Sequence, residues 1–381
     1  MINVVGAGIV GLSVAWALVR RGEPVRVFDR DEPGSGASFG NSGSLSAGSV
    51  VPLATPGVTR SGVSMLFDPD APLVIRRSYL LRAMPWLVRF ARVSDEASVR
   101  TLAHALLAIL SPTLPAWQRV LDEIGAPELL RVTGQLHVYP SAGAMAKDGF
   151  GWRLREALGV RTERVDRAGL LALQPGIGER YTHAVYLPEP AKIADPHGLC
   201  VRLAQALREG GVEFVRAGVD ALDAGGAVHA LGRAWPARAS VLATGAWSAG
   251  LLRPLGVHVP LESQRGYHVQ RPDLIVAPDV ALERPVVAAD SKTFIVPMRE
   301  GVRVGGTVEF AGLDAMPTHA RVALLRRCFA DVFPSAPAIA PARTSANGWA
   351  TVRACPTRFR CSGRSRACRR FGRRSGTATS G

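Results

Sequence analysis

The pattern of apolar and polar positions at the start of the chain predicts a strand, a helix and a second strand. A short β-branched run, Ile2 to Val5, leads through a glycine-rich turn into an apolar-periodic segment that extends to Arg20. A Gly-Glu-Pro break follows, and a second strand-like run occupies Val25 to Phe28. Two short strands joined by a helix form a βαβ unit, in which the strands are parallel.

The turn of this unit reads Gly6-x-Gly8-x-x-Gly11, which is the spacing of a dinucleotide-binding fingerprint. The first glycine permits a tight turn, the second lets the backbone approach a pyrophosphate, and the third allows the helix to pack closely on the strand. The helix N-terminus adds unpaired N–H groups for the phosphates. Asp29, eighteen residues after Gly11, is placed to accept a hydrogen bond from a ribose hydroxyl, and it would repel a 2′-phosphate.

A second glycine-rich run extends from Gly34 to Gly48 and reads GSGASFGNSGSLSAG. Its small side chains and exposed backbone amides suit close approach by a second part of an extended cofactor. A flexible Gly/Ser linker is the alternative that composition alone leaves open.

Residues 55–130 show an apolar period typical of helices, interrupted by prolines. This pattern predicts covering helices over Pro72 to Phe90, Ala97 to Leu110 and Leu114 to Ile124. No apolar stretch reaches the roughly 18 residues that suggest a membrane-spanning helix. The longest candidate, Leu102 to Leu110, is at most a buried or membrane-facing amphipathic helix.

The middle of the chain predicts a further αβ unit. Asp195 is a candidate N-cap for a helix over 198–209, and a strand is predicted over 212–215. A later strand, 239–243, ends in Thr244-Gly245, where a backbone group and a hydroxyl can meet a ligand at the carboxyl edge of a parallel sheet.

Beyond residue 255 the apolar period changes to two. Gln264 to Val269, Thr293 to Pro297 and Val302 to Glu309 alternate with glycine breaks, which predicts an antiparallel sheet. Ala320 to Phe329 returns to a helical pattern. A second G-x-G-x-x-G is absent from the sequence, which argues against a separate NADPH domain.

Composition places the chain among globular proteins with room for two domains, since it has 381 residues, of which 47% are hydrophobic and 20% charged. Arg20 and Arg21 follow the first apolar run rather than precede it, so a secretory signal is not predicted. The five cysteines lack zinc spacing, and no metal site or disulfide framework is predicted.

The net charge of +15 is concentrated at the C-terminal end. Residues 351–381 contain nine arginines and no acid, which leaves +6 for the rest of the chain. The charge is therefore not a signature of the whole molecule, and no nucleic-acid partner is expected from it.

The segments VVGAGIVGLSVAWAL, SFGNSGSLSAG, DPHGL, VLATGAWS, RGYH and GGTVEF together resemble FAD-dependent amine and amino-acid oxidoreductases. The chain is similar to the D-amino-acid dehydrogenase branch of the D-amino-acid oxidase/glycine oxidase group, up to about Pro341. The resemblance implies an α/β fold with a Rossmann-like, doubly wound FAD-binding domain. It also implies an α+β substrate domain that contains an antiparallel sheet.

The resemblance further implies a discontinuous division of the chain. The FAD-binding domain is expected to take 1–54, 150–254 and a truncated 320–346, the substrate domain 55–149 and 255–319, and an aberrant, disordered basic tail 347–381.

Site residues are carried over from the family position by position. The positions implied for FAD are Gly6, Gly8 and Gly11 at the pyrophosphate, Asp29 at the adenosine ribose, Arg30 beside the adenosine, Ser38, Asn41, Ser42 and Gly43 at the pyrophosphate and flavin ring, Val219 at the adenine, and Thr244 and Gly245 at a second turn. Tyr267 and His268 are candidates for the substrate side, with ordinary packing in the sheet as the alternative.

The implied reaction is oxidation of a D-amino acid at its α C–H, with hydride transfer to flavin N5 and hydrolysis of the imino acid to a 2-oxo acid and ammonia. A D-hydroxyproline dehydrogenase or a glycine/sarcosine oxidase remains open within the same class. The electron acceptor is either oxygen or a quinone chain. Relatives of the dehydrogenase type imply a cytoplasmic protein that rests peripherally on the inner membrane.

The family's substrate carboxylate is held by an arginine in a C-terminal G-x-R-P segment, which is absent here. In its place stands TVRACPTRFRCSGRSRACRRFGRRSGTATSG, which has no hydrophobic periodicity, no recognisable turn pattern and no acidic residue. Codons shifted by two bases from Asn347 onward can read WMGHRPSMPDSLPVLGP and, later, FGHGHLG. We therefore hypothesise a frameshift between about Ala336 and Asn347, with weak FAD retention and negligible turnover as consequences.

Two functions of another class compete with this hypothesis. The arginine-rich tail could be a basic arm for nucleic acid or an anionic membrane, or the chain could be a non-catalytic product. DNA binding that depends on salt and disappears on deletion after Asn347 would support the first. Whether restoring the frame restores activity discriminates the second, an inactivated gene product.

Overall fold

The computed structural model describes residues 1–57, 68, 70–271, 282–337 and 347–354, the last segment as backbone alone. The strands β1 to β19 are, in chain order, Ile2–Val5, Val25–Asp29, Ser44–Leu45, Leu73–Ile75, Leu130–Val132, Gln135–Tyr139, Glu163–Val165, His183–Leu187, Ala191–Ile193, Glu213–Arg216, Ala221–Leu222, Val228–Ala230, Arg233–Trp235, Ala239–Leu242, Glu262–Arg271, Val286–Ala288, Thr293–Pro297, Val302–Phe310 and Asn347–Ala354. The helices α1 to α10 are Ile9–Val19, Leu80–Arg92, Glu96–Leu110, Thr113–Glu123, Ala142–Lys147, Gly149–Ala157, Arg167–Leu173, Pro196–Glu209, Ser248–Leu252 and His319–Val332.

The predicted βαβ unit forms the centre of a four-stranded parallel sheet with strand order β10-β2-β1-β14. Buried Val4 and Val27 pack against helices α1 and α8 on one face. On the other face, Val5 and Phe28 pack against the antiparallel meander β11-β12-β13. Apolar side chains on both faces explain why these strands read as continuous hydrophobic runs.

The antiparallel sheet predicted beyond residue 255 belongs to a nine-stranded sheet. Its order is β19-β15-β18-β17-β16-β6-β8-β7, with β4 paired to β18. Helix α10 covers one face, where Leu325 and Phe329 join the buried valines of β15 and β18. These two sheets confirm the predicted fold class, an α/β nucleotide-binding part joined to a part built on an antiparallel sheet.

Two domain boundaries differ from those expected. Strands β7 and β8 lie inside 150–254 but pair with the nine-stranded sheet, because β8 continues the antiparallel ladder of β6. Helix α10, expected in the third FAD-binding segment 320–346, packs on the nine-stranded sheet through its apolar face. The substrate side of the molecule is therefore larger than the sequence division suggested.

The helices predicted over Ala97 to Leu110 and Leu114 to Ile124 are confirmed as α3 and α4. The helix predicted over Pro72 to Phe90 is wrong in its first part. Leu73–Ile75 forms strand β4, because its apolar residues pair with the end of β18, and α2 begins only at Leu80.

The expected disordered tail is also wrong for its first eight residues. Strand β19 pairs antiparallel with Glu262 to Val269 along the open edge of β15. The segment NGWATVRA contains tryptophan, threonine and valine, which favour strands. Residues 355–381 lie outside the described residues.

Candidate active site

The glycine-rich turn is built so that only glycine fits at two of its positions. Gly6 has a φ of +108°, and a Cβ there would lie 2.6 Å from the carbonyl oxygen of Ala243. A Cβ on Gly11 would lie 1.8 Å from the carbonyl oxygen of Gly6, which brings α1 directly onto the turn. Gly8 is the N-cap residue of α1, and its position lies close to the Ser38 hydroxyl.

Asp29 ends β2 beside this turn. Its Oδ2 accepts a hydrogen bond from the N–H of Ala7 at 2.6 Å, and its Oδ1 accepts one from the N–H of Asp31 at 3.0 Å. These contacts fix the carboxylate at the carboxyl edge of the sheet. Arg30 follows in sequence, and its guanidinium lies 4.6 Å from the centre of the Trp247 ring and 3.5 Å from the Asp31 carboxylate.

A cavity of about 490 Å³ opens at this edge of the sheet, between the glycine turn and the loops after β2, β10 and β14. The residues predicted to bind the cofactor that line it are Gly6, Gly8, Asp29, Arg30, Ser38, Val219, Thr244 and Gly245. Parallel strands end together at this edge, so segments far apart in sequence meet around one cavity.

A second cavity of about 500 Å³ lies along the side of α1, where helix residues from Ile9 to Ala17 line it. It shares Ile9, Val10 and Ser38 with the first cavity and reaches Asn41 and Gly43. The Ser38 Oγ accepts a hydrogen bond from the N–H of Ile9 at 2.9 Å, which joins the loop to the helix.

The loop beyond Ser38 has a defined turn. The Asn41 Oδ1 accepts a hydrogen bond from the N–H of Gly43 at 2.6 Å. Gly43 has a φ of +67°, and a Cβ there would lie 2.1 Å from the carbonyl oxygen of Ile193. Ser42, between them, is half-buried and lines neither cavity.

Tyr267 and His268 lie on opposite faces of the nine-stranded sheet, so the structure does not bring these two candidates together. The Tyr267 hydroxyl donates to the Glu309 carboxylate and accepts from the N–H of Thr318 at 2.9 Å, on the face that α10 covers. Burial and the hydrogen bond to Glu309 raise the pKa of Tyr267. The Tyr267 hydroxyl is therefore engaged by Glu309 and Thr318 in the described structure.

His268 lies on the other face and is 5% exposed. Burial, together with the charge of Arg303, lowers its pKa to about 4, so the imidazole is neutral at physiological pH. Gln270 and Arg303 share this face, since the register pairs them directly across β15 and β18. The face is connected to the glycine-rich loop, because Arg303 donates to the carbonyl oxygens of Phe39 and Asn41.

Comparison with known proteins decides the family. A family model described as "FAD dependent oxidoreductase" (DAO) matches residues 1–376. The chain belongs to this family. It is 34% identical over 375 residues to a D-amino-acid oxidase of Bradyrhizobium diazoefficiens, with 97% of this chain and 88% of the relative covered. It is 31% identical over 345 residues to a D-amino acid dehydrogenase of a Methylobacterium species, with 87% and 80% covered.

Solved structures share the fold. A glycine oxidase from Geobacillus kaustophilus superimposes with a TM-score of 0.65 at 18% identity, with 93% of this chain and 82% of that chain covered. An L-proline dehydrogenase from P. horikoshii gives 0.64 at 18% identity, with 88% and 77% covered.

The described residues fit the FAD that this family uses. The glycine turn leaves no room for a Cβ at Gly6 or Gly11, so the backbone there is open to a close ligand. The N-terminus of α1 would present N–H donors to a pyrophosphate. The Asp29 carboxylate would offer acceptors to a ribose. The second cavity, which borders Ser38, Asn41 and Gly43, would leave room beside this loop for the flavin end. A dinucleotide cofactor needs room for its adenosine end and for its flavin end, and the two adjoining cavities offer that room.

Sequence reasoning missed Arg303. A charged residue in an alternating strand normally marks the solvent face, whereas Arg303 is 5% exposed and contacts the loop of the cofactor site. The signal available in the sequence was an arginine between two valines in a strand that also carries a double glycine.

Proposed function

We propose that this chain is built to oxidise a D-amino acid at its α C–H, yielding an imino acid that hydrolyses to a 2-oxo acid and ammonia. The observation that carries the proposal is the 34% identity, over 97% of the chain, to a protein named D-amino-acid oxidase. The nucleotide cavities that adjoin at Ser38 are consistent with it.

Bound FAD supplies the acceptor for the hydride. The residues of the chain bind the cofactor and orient it. The glycine turn and α1 hold the pyrophosphate, Asp29 holds the ribose, and Ser38 to Gly43 position the flavin end. His268, neutral at physiological pH, offers an uncharged hydrogen-bonding group on the sheet face next to this loop.

A substrate carboxylate needs a cation, and a guanidinium gives the best bidentate match. Arg303 does not serve this purpose, because its N–H groups already bind two carbonyl oxygens and the Gln270 amide. We infer that the clamp belongs to the C-terminal G-x-R-P segment, which the hypothesised frameshift has replaced.

Relatives named as oxidase and as dehydrogenase leave oxygen and a quinone chain as alternative acceptors. Among the described residues, one helical stretch, Glu96–Glu123, is apolar and long enough to cross a membrane, a test that many helices of soluble proteins also pass. In the fold it is divided at Pro112 into α3 and α4, and Ile109 on α3 is 71% exposed. We propose that this surface of a cytoplasmic protein rests peripherally on the inner membrane.

Anaerobic mixing of single amine substrates with the FAD-reconstituted protein, its reading frame restored between the codons for Ala336 and Asn347, tests the proposal. D-alanine and D-proline are expected to bleach the flavin absorbance, and their L-enantiomers are not. A panel that adds D-hydroxyproline, glycine and sarcosine separates the alternatives within the class. Bleaching by L-amino acids alone would contradict the proposal. Co-sedimentation with anionic vesicles, reduced by Ile109→Glu, tests the membrane contact, and equal sedimentation of both proteins would contradict it.

A further inference from the structure

Arg303 connects the nine-stranded sheet to the loop of the cofactor site. Its Nη1 donates to the carbonyl oxygens of Phe39 at 2.8 Å and Asn41 at 2.6 Å. Its Nε and Nη2 donate to the Gln270 Oε1 at 3.0 and 2.6 Å. Gln270 lies directly opposite on β15, so it holds the guanidinium in one orientation.

The charge of this side chain is buried and is balanced mainly by neutral oxygens. Arg303 is 5% exposed, and among the described residues it forms no ion pair. The Asp195 carboxylate is near enough to raise its pKa, but burial dominates and lowers the pKa to about 10. The guanidinium therefore stays protonated at neutral pH. A buried charge is costly unless it is hydrogen-bonded, so the two loop carbonyl oxygens are strongly held.

Other contacts hold the two ends of this loop: the Phe39 N–H donates to the Gly36 carbonyl oxygen at 3.0 Å, and the Gly43 carbonyl oxygen accepts from the N–H of Ile193 at 2.7 Å. Between them, the Phe39 and Asn41 carbonyl oxygens are bound by Arg303. Phe39 is 43% exposed, and the N–H of Asn41 reaches the Ser38 carbonyl oxygen at 3.4 Å, which is a long hydrogen bond. A charged donor that binds two carbonyl oxygens two residues apart fixes the backbone between them. The Asn41 to Gly43 turn, which leads into the second cavity, directly follows this fixed segment.

We propose that Arg303 is a positioning residue that fixes the Phe39 to Gly43 backbone against the sheet and so sets the flavin end of the FAD site relative to the substrate-side face. This inference concerns the shape of the FAD site and does not depend on which amino acid is the substrate. It rests on the proposed function only in naming one face of the sheet the substrate side. Arg303 is thus the residue that connects the loop of the nucleotide site to the nine-stranded sheet on the substrate side.

Amide hydrogen exchange on the chain without added FAD tests the proposal. In Arg303→Gln, exchange of the peptide that covers residues 39–43 is expected to rise about tenfold or more, because the segment opens more readily once the guanidinium no longer holds the Phe39 and Asn41 carbonyl oxygens. Peptides from β15 and β18 keep their protection. Arg303→Lys keeps the charge and is expected to restore part of the protection. Arg299→Gln is the matched control, since it removes an arginine that is 71% exposed from the preceding turn.

A second readout is the FAD dissociation constant, measured by fluorescence without any substrate. It is expected to rise about tenfold in Arg303→Gln, to rise less in Arg303→Lys and to stay unchanged in Arg299→Gln. Unchanged exchange at 39–43 in Arg303→Gln, or an increase spread equally over β15 and β18, would overturn the proposal. Neither readout uses an amino acid, so a wrong substrate assignment leaves the result interpretable.

Discussion

The carboxylate of Asp29 accepts a hydrogen bond from the backbone N–H of Ala7, with 2.6 Å between Oδ2 and N. This contact ties the end of β2 to the glycine turn after β1, so the ribose end and the phosphate end of the site are built as one unit. The acid thus shapes the turn in addition to offering oxygens to a nucleotide.

Asp29→Ala is expected to weaken FAD binding about tenfold to a hundredfold, because hydrogen bonds to a charged group are lost at the ribose and at the turn. Isothermal titration of the frame-restored chain with FAD measures this. Asp31→Ala, which removes an exposed carboxylate two residues away, is the control. Equal weakening by both variants would mean that general charge, rather than the position of Asp29, controls affinity.

Gly11→Ala is expected to destabilise the fold by about 1–3 kcal/mol or more, because its Cβ would overlap the Gly6 carbonyl oxygen. Urea denaturation gives the free energy of unfolding. Gly36→Ala is the matched control, since Gly36 lies in the nearby glycine-rich loop and a Cβ there meets nothing within 4 Å. A stable Gly11→Ala protein would contradict the close packing of α1 on the turn.

Stability is expected to fall in mild acid because His268, which is buried, and His137, which is half-buried, resist protonation. Burial lowers the pKa of His268 to about 4 and that of His137 to about 3, both from 6.5. The unfolded chain therefore binds more protons below about pH 6.5, and stability is lost as the pH falls toward about 4. Each group contributes at most about 1.4 kcal/mol per pH unit in this window.

Urea denaturation at about pH 7 and about pH 5 measures the effect. His268→Asn is expected to lose less stability between these two values than the wild-type chain. His104→Asn, which alters an exposed histidine, is expected to match the wild type. The same acid sensitivity in His268→Asn as in the wild type would refute the assignment of His268 as a neutral buried group.

The hypothesised frameshift makes a prediction about the gene. Sequencing across the codons for Pro334 to Trp349 is expected to show an inserted or deleted base relative to a frame that encodes the G-x-R-P segment. Restoring that frame is expected to raise FAD retention, because the segment that covers the cofactor returns, and to raise turnover, because the substrate's carboxylate clamp returns with it. An intact single frame in independent reads would end the hypothesis.

The nucleotide part of the site could be predicted from the sequence because its constraints are local. The glycine spacing, the apolar runs and Asp29 follow each other within one βαβ unit, and the structure gathers them at one edge of the sheet. Asp195 also behaves as predicted, since its carboxylate accepts a hydrogen bond from the N–H of Gly198 at 2.7 Å.

The substrate side depends on distant packing, which the sequence pattern does not reveal. Alternation already implies that Tyr267 and His268 face opposite ways, but which face meets the cofactor loop depends on where α10 packs. Arg303 could not be assigned for the same reason. Strands β4 and β19 form because neighbouring strands offer unpaired edges, which a local pattern does not show.

Anaerobic flavin reduction by paired D- and L-amino acids tests the central claim most directly. The protein is compared in two forms, one as the sequence stands and one with the frame restored between the codons for Ala336 and Asn347. We expect the restored form to be reduced by D-alanine or D-proline and not by the enantiomer, and the present form to bind little FAD and turn over negligibly. A restored form that binds FAD but is reduced by no D-amino acid, or equally by both enantiomers, would contradict the account.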